Sequence, residues 1–151
     1  MKRPTTRTYT VSKTFNAPLE FVFDWCTDFR EDDGKMTGSS AKRRFLERSK
    51  DRLVWLASYR EDSKDKEGVR YVRLMPPDAW HLDTCGDGRE LGDYKLTALG
   101  KNKTRLDMVF QVTYDDPDEV EDKETWEKDA RESWDTYASY LEREYQASRS
   151  A

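Results

Sequence analysis

The stretch Phe15-Asn16-Ala17-Pro18-Leu19-Glu20-Phe21-Val22-Phe23 holds a change of period. Before it, Arg7 to Phe15 is rich in Thr, Tyr and Val and alternates at about every second residue, which suits a strand with one buried face. After it, Leu19, Val22, Phe23 and Cys26 recur three and four residues apart, so a short helix is predicted over residues 18–27. Pro18 suits a first turn, whose amides have no intrahelical partner, and Asn16 is a candidate cap. Thr27-Asp28-Phe29-Arg30 is expected to lead into a second short helix that Gly34 helps to end.

Downstream, from Ser40, the period returns to two and stays there through Tyr114. Residues 44–48, 53–59, 69–75, 80–85, 90–99 and 104–114 read as six further strands. Turn chemistry separates them: Ser49-Lys50-Asp51, Asp62 to Gly68, Pro76-Pro77-Asp78, Gly86-Asp87-Gly88 and Gly100-Lys101-Asn102. Short connections imply antiparallel hairpins, because parallel pairing needs a long crossover. In the tail, Trp126, Ala130, Trp134, Tyr137, Ala138, Leu141 and Tyr145 mark one stripe of a helix over residues 119–146. Acids from Asp115 to Asp122 crowd its start, where the helix dipole favours them.

Composition narrows the class. A chain of 151 residues can bury one core, and 13% aromatic residues argue against disorder despite 38% charged ones. One domain is expected, with 1–6 and 147–151 as loose ends. The net charge of -4, from 27 basic and 31 acidic side chains, is a mixed surface unlike the one-signed field that nucleic acid selects. No apolar run suits an export signal or a membrane span. Cys26 and Cys85 match no metal or redox spacing and read as free thiols, so a cytoplasmic protein without metal or cofactor is expected.

The order of elements, together with Phe15-Asn16-Ala17-Pro18 opening into Leu19-Glu20-Phe21-Val22-Phe23, resembles the START-like or SRPBCC superfamily, which includes polyketide cyclases and lipid-transfer START domains. Gly92 to Leu99 followed by Lys103 to Asp107 is similar to that family's last hairpin. The resemblance implies an α+β helix-grip fold: a seven-stranded curved antiparallel sheet, two short helices after strand 1, and a long C-terminal helix packed across the concave face. It implies an apolar pocket between sheet and helix, the alternative being that the same rings simply fill the core, but transfers no catalytic position, since members share no universal catalytic residue.

Alternation assigns faces within that frame. Leu106, Met108, Phe110, Val112 and Tyr114 should point inward, as should Tyr94 and Leu96, with Trp80 and Leu82 beside them. In residues 53–59 and 69–75 both parities are partly apolar; Trp55, Tyr59, Tyr71 and Arg73 are taken as interior. Candidate pocket residues are therefore Trp55, Tyr59, Tyr71, Arg73, Trp80, Tyr94, Leu96, Met108, Phe110, Trp126 and Trp134. Arg73 is the better polar candidate to receive a ligand carboxylate or phosphate, but a structural ion pair or a rim position is preferred as its role.

Other features read more plainly. His81 is the only histidine and its alternation faces it outward, with Asp83 and Asp107. Lys42-Arg43-Arg44 reads as edge charge that discourages addition of another strand. The acidic run lacks the spacing of a calcium loop, and Cys26 reads as packing rather than a nucleophile. Three functions fit: a non-catalytic carrier of a small hydrophobic molecule, a cyclase or dehydratase acting on a polyketide-like or aromatic substrate, and a co-chaperone-like module with a protein partner. The first accounts best for an aromatic interior without an acid-base constellation.

Overall fold

In the computed structural model, which describes residues 2–150, the period-two segments form one antiparallel sheet of seven strands. They are β1 (Thr5–Phe15), β2 (Lys42–Arg48), β3 (Arg52–Glu61), β4 (Lys64–Met75), β5 (Ala79–Cys85), β6 (Arg89–Gly100) and β7 (Lys103–Tyr114). Their order across the sheet is β1-β7-β6-β5-β4-β3-β2, so β1 and β2 are the edges. The helix α1 (Leu19–Cys26) follows β1, and α2 (Lys123–Ser150) closes the chain. The expected α+β helix-grip architecture is present.

The junction read first from the sequence is fixed from two sides. Phe15 and Ala17 are fully buried, and the Ala17 carbonyl accepts a 2.8 Å bond from the buried Thr104 hydroxyl of β7. The Asn16 amide donates to Glu142 of α2 at 2.7 Å, so Asn16 contributes its backbone here. Pro18 takes the cap position of α1, which has no side-chain cap bond. The expected Asn16 cap is thereby corrected.

Further boundaries differ for local reasons. The second short helix is a 3-10 helix at Asp33–Thr37; Gly34 lies inside it, and Gly38, with φ 71°, ends it. The β3–β4 turn comprises only Asp62 and Ser63, both left-handed, and β4 takes up residues 64–68 that the sequence reading assigned to the turn. In α2 the first helical residue is Lys123, because Asp122 accepts from the Thr125 amide and hydroxyl and so caps the helix; Pro117–Glu119 is a separate 3-10 turn. Within the expected loose ends, β1 includes Thr5 and Thr6 and α2 runs to Ser150, while Met1 and Ala151 lie outside the described residues.

The helix α2 lies along the β1 edge of the concave face. Carboxylates of α2 bond outward amides of the β1 region, as Glu127 does for Thr10 at 2.8 Å, while Lys13 pairs with Asp135. Here the interior is packed: Tyr9, Val11, Met108, Phe110 and Val112 meet Trp126, Ala130 and Trp134. Tyr9 stacks on Trp126 with ring centroids 4.4 Å apart, and its hydroxyl donates to the Glu121 carbonyl at 2.8 Å. A second cluster under α1 joins Phe15, Val22, Leu53, Val72, Leu96 and Leu106 to Leu141. Gly92 admits the Phe110 ring, since a Cβ there would stand 2.6 Å from it.

Leu141 is the fully buried anchor of α2, whereas Trp134 is half-buried. Leu141→Ala is expected to cost about 2 to 5 kcal/mol, as for other core leucines, and Trp134→Ala less than that. Urea unfolding midpoints of the two variants check the order.

Candidate functional site

Away from β1 the concave face is not filled. A cavity of 320 Å³ lies between β3–β6 and the helices, within the size range of small-molecule sites. Its floor is Trp55, Ala57 and Tyr59 of β3, Arg70 of β4, Trp80 and Leu82 of β5, and Tyr94 of β6. Trp25, Cys26 and Phe29 come from α1 and the turn after it, and Trp134 and Tyr137 from α2. Asp33, Met36, Ala41, Lys42 and Arg43 complete the wall, which opens to solvent beside the exposed Lys42.

The rings brace one another around the space. Trp80 stacks on Tyr94 at 4.9 Å and 8°, Tyr94 meets Trp134 edge-on at 6.5 Å, and Phe29 and Phe45 flank Trp55. Burial pushes the Tyr94 phenol and the Cys26 thiol well above their ordinary ranges, so both stay protonated at neutral pH. Cys26 thereby has packing character, as its helical position implied.

One charged assembly closes the cavity at the β4 end. The turn Gly86-Asp87-Gly88 swings Asp87 over β4, where both terminal nitrogens of Arg70 donate to it at 2.7 Å and the Tyr59 hydroxyl donates at 2.5 Å. Gly68 makes this possible: a Cβ there would lie 1.8 Å from the Asp87 carboxylate. The Arg70 hydrogen bonds outweigh burial and, with Tyr59, hold Asp87 down to about 2.

A second assembly borders the opening. Arg43 donates through Nη1 to Asp33 at 2.6 Å and to the Arg30 carbonyl at 2.7 Å, and its guanidinium lies 5.0 Å over the Trp55 ring. Arg30 is held by Asp28 at 3.1 Å and Glu144 at 3.3 Å, and Glu144 also accepts from the Trp25 indole at 2.8 Å. Burial outweighs Arg30 at Asp28 and, with repulsion from Asp33 and Glu144, pushes its carboxyl up to about 6.

Among the eleven residues expected in the pocket, Trp55, Tyr59, Trp80, Tyr94 and Trp134 line this cavity. Leu96, Met108, Phe110 and Trp126 are inside the molecule but belong to its packed parts. Tyr71 and Arg73 are corrections. Arg70 and Val72 take the inward parity of β4, so Tyr71 and Arg73 face the convex side; Arg52 covers the Tyr71 ring there. An inward guanidinium does exist, but it is Arg70. Arg43, read as edge charge, also points inward, because it pairs across the sheet with the inward Ala57. His81 faces outward as expected, held between Asp93 at 2.6 Å and Asp83 at 2.7 Å. Partial burial lowers its pKa but the two carboxylates outweigh that, and the net shift is upward.

The sequence matches no protein-family model and no curated protein. Solved structures match the fold over nearly the whole chain. An aromatase/cyclase from Streptomyces sp. R1128 superposes with a TM-score of 0.70 at 15% identity, covering 94% of each chain. Ara h 8.0201 gives 0.69 at 13% identity, covering 95% of this chain and 99% of that one. A START superfamily protein from Mycobacterium smegmatis gives 0.60 at 17% identity, covering 95% and 97%. The chain has the START-like helix-grip fold, and identities this low extend the likeness no further than fold.

Two consequences of the charge assemblies are measurable. Asp87→Ala leaves the Arg70 guanidinium without its counter-charge and is expected to cost about 3 kcal/mol in urea unfolding, the lower end for a broken buried pair because Arg70 keeps some solvent. Asp28 and Asp87 act oppositely with pH. The ionised Asp87 contributes stability above its ordinary range, which is lost as pH falls toward about 2. Folded Asp28 binds its proton near pH 6, above its unfolded value, so protonating it stabilises the fold as pH falls below about 6. Thermal unfolding of Asp28→Asn at pH 7 and pH 5 is expected to lack the part of the pH response that Asp28 supplies in the parent.

Proposed function

We propose that the protein binds or carries a small, planar hydrophobic molecule in the cavity between the sheet and α2. The observation that supports this most is the contrast within one interior: the β1–β7 side is packed, while 320 Å³ under β3–β6 stays open behind braced aromatic rings. Close packing is the usual state of an interior, so an open aromatic-lined space is a feature that needs a use.

A binding role fits the chemistry better than a cyclase or dehydratase role. Proton transfer near neutral pH needs a group in the cavity that titrates there. The Tyr94 phenol and Cys26 thiol are pushed away from that range, Asp33 is engaged by Arg43, and Asp28, whose carboxyl is pushed up to about 6, pairs with Arg30 outside the lining. Both cysteines are free, which suits a cytoplasmic setting.

Titration with the neutral dye N-phenyl-1-naphthylamine tests the proposal. Saturable binding with enhanced emission is expected for the parent. Ala57→Leu adds volume inside the cavity and is expected to weaken dye binding at least tenfold with a small change in unfolding midpoint. Phe110→Trp adds volume where the interior is already packed and should cost about 1 to 3 kcal/mol. Absence of saturable binding by the folded parent would reject the carrier reading.

A further inference from the structure

The polar groups facing the cavity are unbalanced. Its wall includes Trp55, Trp80, Tyr94 and Arg43, whose polar groups can all donate. The carboxylate on that wall is Asp33, which is shared between Arg43 at 2.6 Å and Arg30 at 3.8 Å. Among the described residues, the Trp55 and Trp80 indoles have no hydrogen-bond partner, although both residues line the cavity and are only 4% and 2% exposed.

Geometry separates the two guanidiniums. Arg70 is committed, since both its terminal nitrogens are on Asp87. Arg43 uses only Nη1, for Asp33 and the Arg30 carbonyl, while Nε and Nη2 have no partner among the described residues. Its plane rests near the Trp55 ring, so a planar ligand lying against Trp55 would bring an edge substituent within reach of those two donors. Lys42 beside it is exposed and forms no ion pair among the described residues, which adds positive potential at the opening.

We infer that the ligand of this cavity is a planar aromatic anion whose carboxylate is received by Arg43 and whose ring lies among Trp55, Trp80 and Tyr94. The assignment rests on the carrier reading above and narrows it from hydrophobic molecules in general to acidic ones. Asp33 sets its strength by competing for the same guanidinium.

The test compares naphthalene-2-carboxylate with naphthalene-2-carboxamide, which share a ring system and differ in charge, by calorimetric titration at pH 7. The carboxylate is expected to bind at least tenfold tighter. Arg43→Gln should bring the two within threefold of each other. Asp33→Asn, which frees Arg43, should move carboxylate binding the other way and tighten it severalfold. Equal affinities, tighter carboxamide binding, or no binding of either overturns the inference even when the neutral naphthylamine dye still binds and the carrier reading stands. A carboxylate preference that survives Arg43→Gln overturns the assignment to Arg43. Failure of the dye as well removes both readings together. Should Arg43→Gln not fold, the direction of the Asp33→Asn effect decides.

Discussion

One helix must cover a sheet several times wider than itself. Seven strands at the usual spacing of about 4.8 Å span roughly 29 Å, whereas a helix with its side chains is about 10 Å across. By lying against β1, α2 gives up the far half of the concave face, and everything else follows from that placement. Beneath it Met108, Phe110 and Val112 pack as a conventional core. Beyond it, the short α1 and the 3-10 helix at Asp33–Thr37 can supply a roof only if side chains are long, and large rings and arginines supply that length. The cavity is therefore a consequence of element sizes before it is a consequence of any ligand.

Charges appear where that roof would otherwise be incomplete. Asp87 reaches across Gly68 to Arg70, and Arg43 folds back over Trp55 to Asp33. Each pair gives a cavity-lining arginine a carboxylate partner, so these polar residues can stand in the wall with part of their charge balanced. The two pairs differ in consequence. The Asp87 carboxylate is bonded by two partners and serves stability, while Arg43 retains uncommitted donors and remains available to a guest.

The sequence made the outline legible because β7 alternates cleanly: every second residue from Leu106 to Val112 is buried. Length and the stripe from Trp126 to Tyr145 likewise placed α2. The parity of β4 was hidden by its turn. Asp62 and Ser63 adopt left-handed conformations without Gly or Asn to announce them, so the hairpin looked longer than two residues and its register could not be counted. Counted from the true turn, Glu61 opposes Lys64 and Trp55 opposes Arg70, which puts Arg70 on the ring side and Arg73 outside. Asp87 was invisible for a different reason, since a carboxylate in a Gly-rich turn ordinarily points to water, and only the missing Cβ of Gly68 hints otherwise.

Four of the five tryptophans, Trp25, Trp55, Trp80 and Trp134, stand around the cavity, while the fifth, Trp126, is stacked on Tyr9 in the packed half. The intrinsic ultraviolet emission of the chain is thus divided between chromophores that border the space and one that does not. A molecule entering the cavity would touch the rings of the first group and not Trp126, so it would change their surroundings directly. Occupancy of the cavity is written into the emission of the unlabelled protein.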